Sequence, residues 1–305
     1  MNYYKGDDYK IPVTARFGEG TLFSNLNPEY SENFEGKYAV VFSPKTGTSN
    51  NAIGLFEQEG NVVTGTFATE TGDYRYLAGN VSGDKLFLST FDGSHAFLFE
   101  AEQTDSGLVG TFYSGTHWKE NWIAQKNDSA QLRNPNSLTF IKEGYDGLSF
   151  SFPNENGDSI SLNNKLFEDK AVIVQIMGSW CPNCLDETKY LSILYDKYNE
   201  KGLEVVALAF ERTKTQEKAM HNLTRLKNRT GARYTFLLGG ATRNDKAAEK
   251  LPMLNHIMSY PTAIFLDKEK TVRRIHTGFY GPTTGKFYDD FILETEALVE
   301  AMLGE

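Results

Sequence analysis

Between residues 36 and 124 apolar and polar positions alternate over short runs: 38–42, 52–56, 62–67, 74–78, 86–90, 96–100, 108–112 and 122–124. Glycine-bearing turn clusters at 59–61, 71–73, 82–84, 92–94 and 105–107 separate them, near the 8–12-residue spacing of antiparallel meanders. This predicts about eight strands and no amphipathic helix. So many hairpin-linked strands in an open sheet would leave edges prone to pairing, so the pattern predicts a closed antiparallel barrel or a sandwich. From 125 to 144 the chain turns polar, with Lys126, Asn127, Asp128 and Ser129, then Arg133, Asn134 and Pro135, which is linker chemistry. We place a boundary near residue 135, with an all-β domain over 1–135 and a second domain over 136–305.

The second half opens with a predicted hairpin, runs 148–152 and 159–162 flanking the turn residues 154–158. Its pattern then changes. The continuous apolar run 171–177 precedes a helical stretch from about 181 to 200, where Leu185, Leu191, Leu194 and Tyr195 recur at helix spacing before Gly202. Strands are predicted at 203–210, 234–238, 263–267 and around Val272 and Ile275, and helices at 216–229, 245–258 and 286–303. Strands alternating with helices imply a mainly parallel sheet covered on both faces.

A length of 305 residues fits two domains. The 31 basic and 40 acidic side chains give a net charge of -9, which disfavours nucleic acid and anionic lipid as partners. The charge is uneven: residues 1–140 carry 10 basic and 17 acidic side chains, residues 141–305 carry 21 and 23. No apolar run approaches the roughly 18 residues of a spanning helix, so no transmembrane segment is expected. The first thirty residues lack a basic start followed by an apolar stretch, so either the protein is cytoplasmic or a leader has been removed.

Cys181 and Cys184 are the sole cysteines, which excludes a disulfide framework. They sit where a buried strand hands over to a helix, and the helix N-terminus there stabilises a thiolate. A Cys-x-x-Cys at such a junction suits redox exchange, with Cys181 attacking a disulfide and Cys184 resolving the mixed disulfide. Pro182 fits the first helical position, where its missing N–H costs little. The competing readings are an inert thiol pair and half of a metal site. Zinc wants four ligands, and His95, His117, His221, His256 and His276 lack paired spacing, so no metal is expected.

With Trp180 before the pair, and Ser259, Tyr260, Pro261 and Thr262 before a buried strand, the second domain resembles the thioredoxin superfamily, and more closely its TlpA/ResA-type thiol-disulfide oxidoreductases. The resemblance spans about 145–303 and implies an α/β domain, a central mixed sheet with helices on both faces. It further implies that Trp180 shields the thiols and that Pro261 is cis, lies against the disulfide and offers neighbouring backbone to the substrate. Where thioredoxin keeps a buried aspartate, six residues before the first cysteine, this chain has Gln175, which does not titrate. In TlpA/ResA-like proteins a glutamate three residues after the second cysteine handles that proton, which maps onto Glu187. At i+3 Glu187 neighbours Cys184. The alternative is an exposed carboxylate favoured by the helix dipole, the reading given to Asp186. Tyr260 is bulkier than the residue common before the cis-proline, which narrows the expected substrate groove.

The resemblance implies an enzyme with no cofactor beyond the Cys181–Cys184 disulfide. Its partners would be a disulfide-bearing substrate protein, apocytochromes included, and an upstream thiol electron donor. The acidic β-domain resembles N-terminal extensions of TlpA-family proteins in Bacteroidetes-type bacteria, which implies export to the periplasm or cell envelope, often with a lipid anchor, and a chain lacking its leader. His117, Trp118 and Trp122 either line a binding site in that domain or belong to its core. Three other functions compete. A peroxiredoxin-like peroxidase would place a Pro-x-x-x-Thr-x-x-Cys setting before its cysteine, which 176–181 does not offer. A thioredoxin-fold metal carrier would use the thiols as ligands. In a pure binding module the β-domain would carry the function.

Overall fold

The computed structural model describes residues 32–93 and 95–304, residues 22, 23, 26, 27 and 29, and the backbone of Asn2–Tyr4 and Lys10–Pro12, which pair antiparallel. The leader expectation for residues 1–30 and the Ser94 end of the turn at 92–94 lie in large part or wholly outside them. The chain forms two compact units, residues 1–132 with 282–284 and residues 133–281 with 285–305.

The first unit is an eight-stranded antiparallel barrel. Its strands are β1 (Gly36–Phe42), β2 (Asn50–Glu59), β3 (Val62–Thr69), β4 (Leu77–Ser82), β5 (Lys85–Phe91), β6 (Ala96–Thr104), β7 (Gly107–Ser114) and β8 (Trp118–Lys126). Each pairs with its chain neighbour, and β8 pairs with β1 to close the ring, which removes the open edges. Alternation sends Tyr38, Val40 and Phe42 inward from β1, Val63 and Phe67 from β3, and Phe99 and Phe112 from β6 and β7. Rings fill the interior, with Phe67 stacked on Phe99 at 4.6 Å and Phe99 on Phe112 at 4.5 Å. Such pairs add about 0.5–1.5 kcal/mol each beyond the area they bury. Gly110 makes room for Trp122, since a Cβ there would run into the indole.

Of the aromatic trio noted in this domain, Trp122 is fully buried in the core while Trp118 is 55% exposed and His117 is exposed, so they share no site. The run 74–76 is not a strand. Asp73 accepts the Arg75 N–H through its side chain, and Arg75 adopts φ 60°, so the chain turns and the strand begins at Leu77.

The second unit opens with the hairpin β9 (Ser151–Pro153) and β10 (Ser159–Ser161), followed by β11 (Ala171–Met177), α1 (Pro182–Tyr198), β12 (Leu203–Thr213) and α2 (Gln216–Thr230). Then come β13 (Thr235–Thr242), α3 (Ala247–Lys250), β14 (Thr262–Leu266), β15 (Val272–Thr277) and α4 (Lys286–Gly304). The five-stranded sheet runs β13-β12-β11-β14-β15. β11, β12 and β13 are parallel, whereas β14 and β15 pair antiparallel, so the sheet is mixed rather than mainly parallel. Parallel return to β14 would have needed a full crossover helix. The helix predicted over 245–258 shrinks to four residues because Pro252 pushes Leu251 out of the helical region, to φ -124° and ψ 63°.

β11 is buried along its whole length. Ile173 and Met177 face a core built with α1, α2 and α4, while Val172, Val174 and Ile176 face one built from Phe150, Phe152, Phe167, Ala247 and Leu251. Both faces carry helix, but unequally: three long helices on one, α3 and the hairpin on the other. Among the described residues no helix is long and apolar enough to cross a membrane.

Candidate active site

The central strand β11 ends at Met177, and four residues later Cys181 caps α1. Its backbone is extended, and its sulfur accepts the N–H of Cys184 at 3.2 Å, serving one of the donors a helix start leaves unpaired. Pro182 occupies the first turn. Cys181 and Cys184 form a disulfide. Cys181 is 7% exposed and Cys184 not at all, so Cys181 is the more accessible of the pair.

Four groups frame the pair. The Tyr260–Pro261 peptide is cis, and the Tyr260 carbonyl oxygen lies 3.3 Å from Cys181 Sγ. Trp180 donates its indole N–H to the Phe210 carbonyl at 2.9 Å and meets Tyr260 edge to face at 5.4 Å. Gly178 is needed for that placement, because a Cβ there would collide with the Trp180 indole. Asn183 donates to the Phe279 carbonyl at 3.5 Å.

Glu187 is fully buried rather than exposed. Gln175, on the strand beneath, donates to its Oε2 at 2.8 Å and stands 3.4 Å from the Cys184 carbonyl, which ties the glutamate to the second cysteine's turn. Its Oε1 has no hydrogen-bond partner among the described residues. Burial pushes the Glu187 carboxyl up to about 8, opposed only in part by the Gln175 bond. Asp186 is half-buried and ion-paired with Lys189.

Sequence reasoning missed Glu211 and Arg212. Glu211, 2% exposed at the end of β12, accepts the Ser179 N–H at 2.7 Å and the Ser179 hydroxyl at 2.6 Å, pinning the loop that presents Trp180 and Cys181. Burial raises its pKa, and the Ser179 and Asn222 bonds pull the other way. Arg212 lays its guanidinium 3.3 Å over the Trp180 ring, a cation–π contact. The parallel pairing of β11 and β12 sets these residues beside the loop, over some thirty positions of sequence. Glu211→Ala would strand two Ser179 donors, so urea denaturation should show a loss of roughly 1–3 kcal/mol; a loss below about 0.5 kcal/mol would deny it a structural part. Among the described residues no three His, Cys, Asp or Glu side chains gather as metal ligands.

The AhpC/TSA family matches residues 144–275. The thiol-disulfide oxidoreductase ResA of Bacillus thuringiensis strain Al Hakam is 33% identical over 133 residues, 43% of this chain and 68% of ResA. ResA of Bacillus thuringiensis subsp. konkukian is 36% identical over 70 residues, 23% of this chain, and the match spans only 39% of that protein's length. A crystal structure of a thiol:disulfide interchange protein of the thioredoxin family from Chlorobium tepidum aligns at 21% identity and TM-score 0.38, covering 57% of this chain and 99% of the other. With the AhpC/TSA match over 144–275 and 33% identity across 68% of that ResA, the chain belongs to the AhpC/TSA thioredoxin-like family, among the homologues of ResA.

Proposed function

We propose that the protein is a thiol-disulfide oxidoreductase that reduces or exchanges disulfides of partner proteins through Cys181 and Cys184. The observation that carries this reading is the disulfide at the head of α1, with the Cys181 sulfur against the Tyr260 carbonyl and Cys184 fully buried. In the reduced protein the Cys181 thiolate attacks one sulfur of the partner's disulfide. A Cys181–partner bond forms as the partner's S–S bond breaks, and the second partner sulfur leaves as a thiolate and takes up a proton. Cys184, once deprotonated, attacks Cys181, closes the internal disulfide and releases the first partner sulfur. Two electrons pass to the partner, and an upstream dithiol protein returns the pair to its reduced form.

Glu187 serves the second step. A carboxyl raised to about 8 is matched to a free thiol near 8.5, so a proton moves between them at little cost in either direction. Trp180 and the Tyr260–Pro261 turn form the walls against which the partner's chain lies, with Pro182 fixing the start of α1. No cofactor beyond the disulfide is invoked. The resemblance noted above supports an exported protein of the periplasm or cell envelope, in a family whose members often carry a lipid anchor, with exported proteins such as apocytochromes as substrates.

Neither residue between the cysteines, Pro182 nor Asn183, carries a charge to hold the Cys181 thiolate, which favours a reducing pair. Titration against a dithiothreitol or glutathione series, followed through Trp180 fluorescence, should give a potential below roughly -230 mV, nearer thioredoxin at about -270 mV than DsbA at about -120 mV. A value above roughly -150 mV would make the protein an oxidant. Failure to cycle between dithiol and disulfide would remove the proposal.

A further inference from the structure

One wall of the candidate active site continues into a cleft of about 210 Å³ bounded by Trp180, Tyr260, Arg212, Arg243 and Lys246. The first two of these residues are the ones beside Cys181: Trp180 precedes it in the chain, and Tyr260 offers the carbonyl that touches its sulfur. The cleft and the surroundings of Cys181 therefore share two residues, and the same cleft carries three cations.

The charges in this cleft do not cancel. Two carboxylates, Glu211 and Asp245, line it against three cations, and both accept hydrogen bonds from neighbouring N–H and hydroxyl groups of the protein. Glu211 holds Ser179. Asp245 accepts the N–H groups of Ala241 and Thr242 at 3.0 and 2.8 Å and the Thr242 hydroxyl at 3.0 Å, bonds that hold its carboxyl below the usual range. Among the described residues no carboxylate pairs with Arg212 or Arg243, and Lys246 has only a loose contact of 3.6 Å with Glu249 on the exposed surface. Arg212 is also held in place: its guanidinium carbon stands 3.3 Å over the Trp180 ring. Partial burial and the neighbouring Arg243 press its pKa down, a mark of like charges held together without a counter-ion. This happens in a protein whose net charge is -9, so the patch runs against the general field.

We infer that this cleft is a specificity site for acidic polypeptide: it takes the carboxylate side chains that flank the reacting cysteine of the partner protein. Arg212 supplies planar paired donors for one carboxylate, and Arg243 and Lys246 supply charge at the outer rim. Phe210 and Ala247 give an apolar floor for the methylenes of a glutamate. The inference rests on the exchange reading above and names the substrate class that this reading leaves open.

The test uses the full chain and three peptides, each closed by one internal disulfide, acetylated and amidated so that no terminal charge intrudes. Their cysteines are flanked by Asp and Glu, by Ser, or by Lys. Stopped-flow Trp180 fluorescence of the reduced protein should give rates about tenfold faster for the acidic peptide than for the serine one, with the lysine peptide slowest, and the spread should shrink as salt rises. In the double variant Arg212→Gln, Arg243→Gln the ratio of acidic to serine rates should fall to near one. Equal rates in the wild type, or a ratio that survives the double variant, would overturn the inference. A second arm removes the thiol chemistry: an acidic peptide with both cysteines replaced by Ala should bind the oxidised protein in a salt-sensitive way, and the double variant should lose about tenfold in affinity. If no peptide is reduced while this binding persists, the exchange reading fails and the acidic site stands; if exchange proceeds without charge preference or binding, the site fails alone.

Discussion

Cys181→Ser should abolish disulfide exchange, a loss of at least about a thousandfold, while Cys184→Ser should keep the first attack and stop at the mixed disulfide. The asymmetry follows from position. Cys181 heads α1 and is the more accessible of the two, so the proposed mechanism has it meet the partner's disulfide. Cys184 is fully buried and linked to Cys181, so the proposed mechanism gives it the intramolecular step. Mass spectrometry of Cys184→Ser incubated with a disulfide peptide should therefore find one peptide per chain, released by dithiothreitol. An adduct on Cys181→Ser instead, or none on Cys184→Ser, would reverse or remove the assigned roles.

The placement of the cysteine pair between a buried strand and a helix was legible because its signals are local. Spacing, the buried run 171–177 before it and the helical period after it are all contained in some thirty residues. The barrel was legible for a similar reason: Tyr38, Val40 and Phe42 alternate inward on β1, and each hairpin turn announces the next strand. Closure followed from the cost of open edges, although alternation alone did not separate a barrel from a sandwich. The misreadings occur where a local signal was outvoted. Residues 74–76 alternate like a strand, but the Asp73 side chain captures the Arg75 N–H and turns the chain. Residues 245–258 have helical composition, but Pro252 ends the helix after Lys250.

The rest of the site was not legible because it depends on strand register. Glu211 and Arg212 look in sequence like the polar end of a strand. They become part of the site only because β12 lies parallel to β11 in a register that pairs Met177 with Ala209, which brings the chain beyond Ala209 alongside the loop beyond Met177. Glu187 is intermediate. Its i+3 relation to Cys184 was visible, but its complete burial depended on the sheet beneath, where Gln175 meets it.

Glu187→Gln should stabilise the protein at high pH and leave it unchanged at low pH. The carboxyl ordinarily titrates near 4.5, and burial raises it to about 8 in the folded chain. Below pH 4.5 it is protonated in both states and contributes no pH-dependent term. Between 4.5 and 8 it is ionised in the unfolded chain only, so rising pH favours unfolding across this window, and above 8 the penalty is complete and constant. A difference of this size corresponds to up to about 5 kcal/mol. Glutamine keeps the shape and can accept the Gln175 hydrogen bond through its carbonyl, but it carries no charge to desolvate. Urea denaturation of the oxidised protein should therefore give equal stabilities for wild type and variant at pH 4, and a gap of several kcal/mol in favour of the variant at pH 9. On the proposed mechanism the same substitution removes the carboxyl that carries the Cys184 proton, so resolution of the mixed disulfide should slow by about 10²-fold and lose its inflection near pH 8. Stability gained without any loss of rate would leave Glu187 a buried charge with no part in exchange. A gap that failed to grow between pH 4 and pH 9 would mean that the carboxyl is not raised at all. The two readouts together would connect the proposed exchange to the instability built into the site, because the burial that raises Glu187 into the range of a thiol is the same burial that makes its ionised form costly.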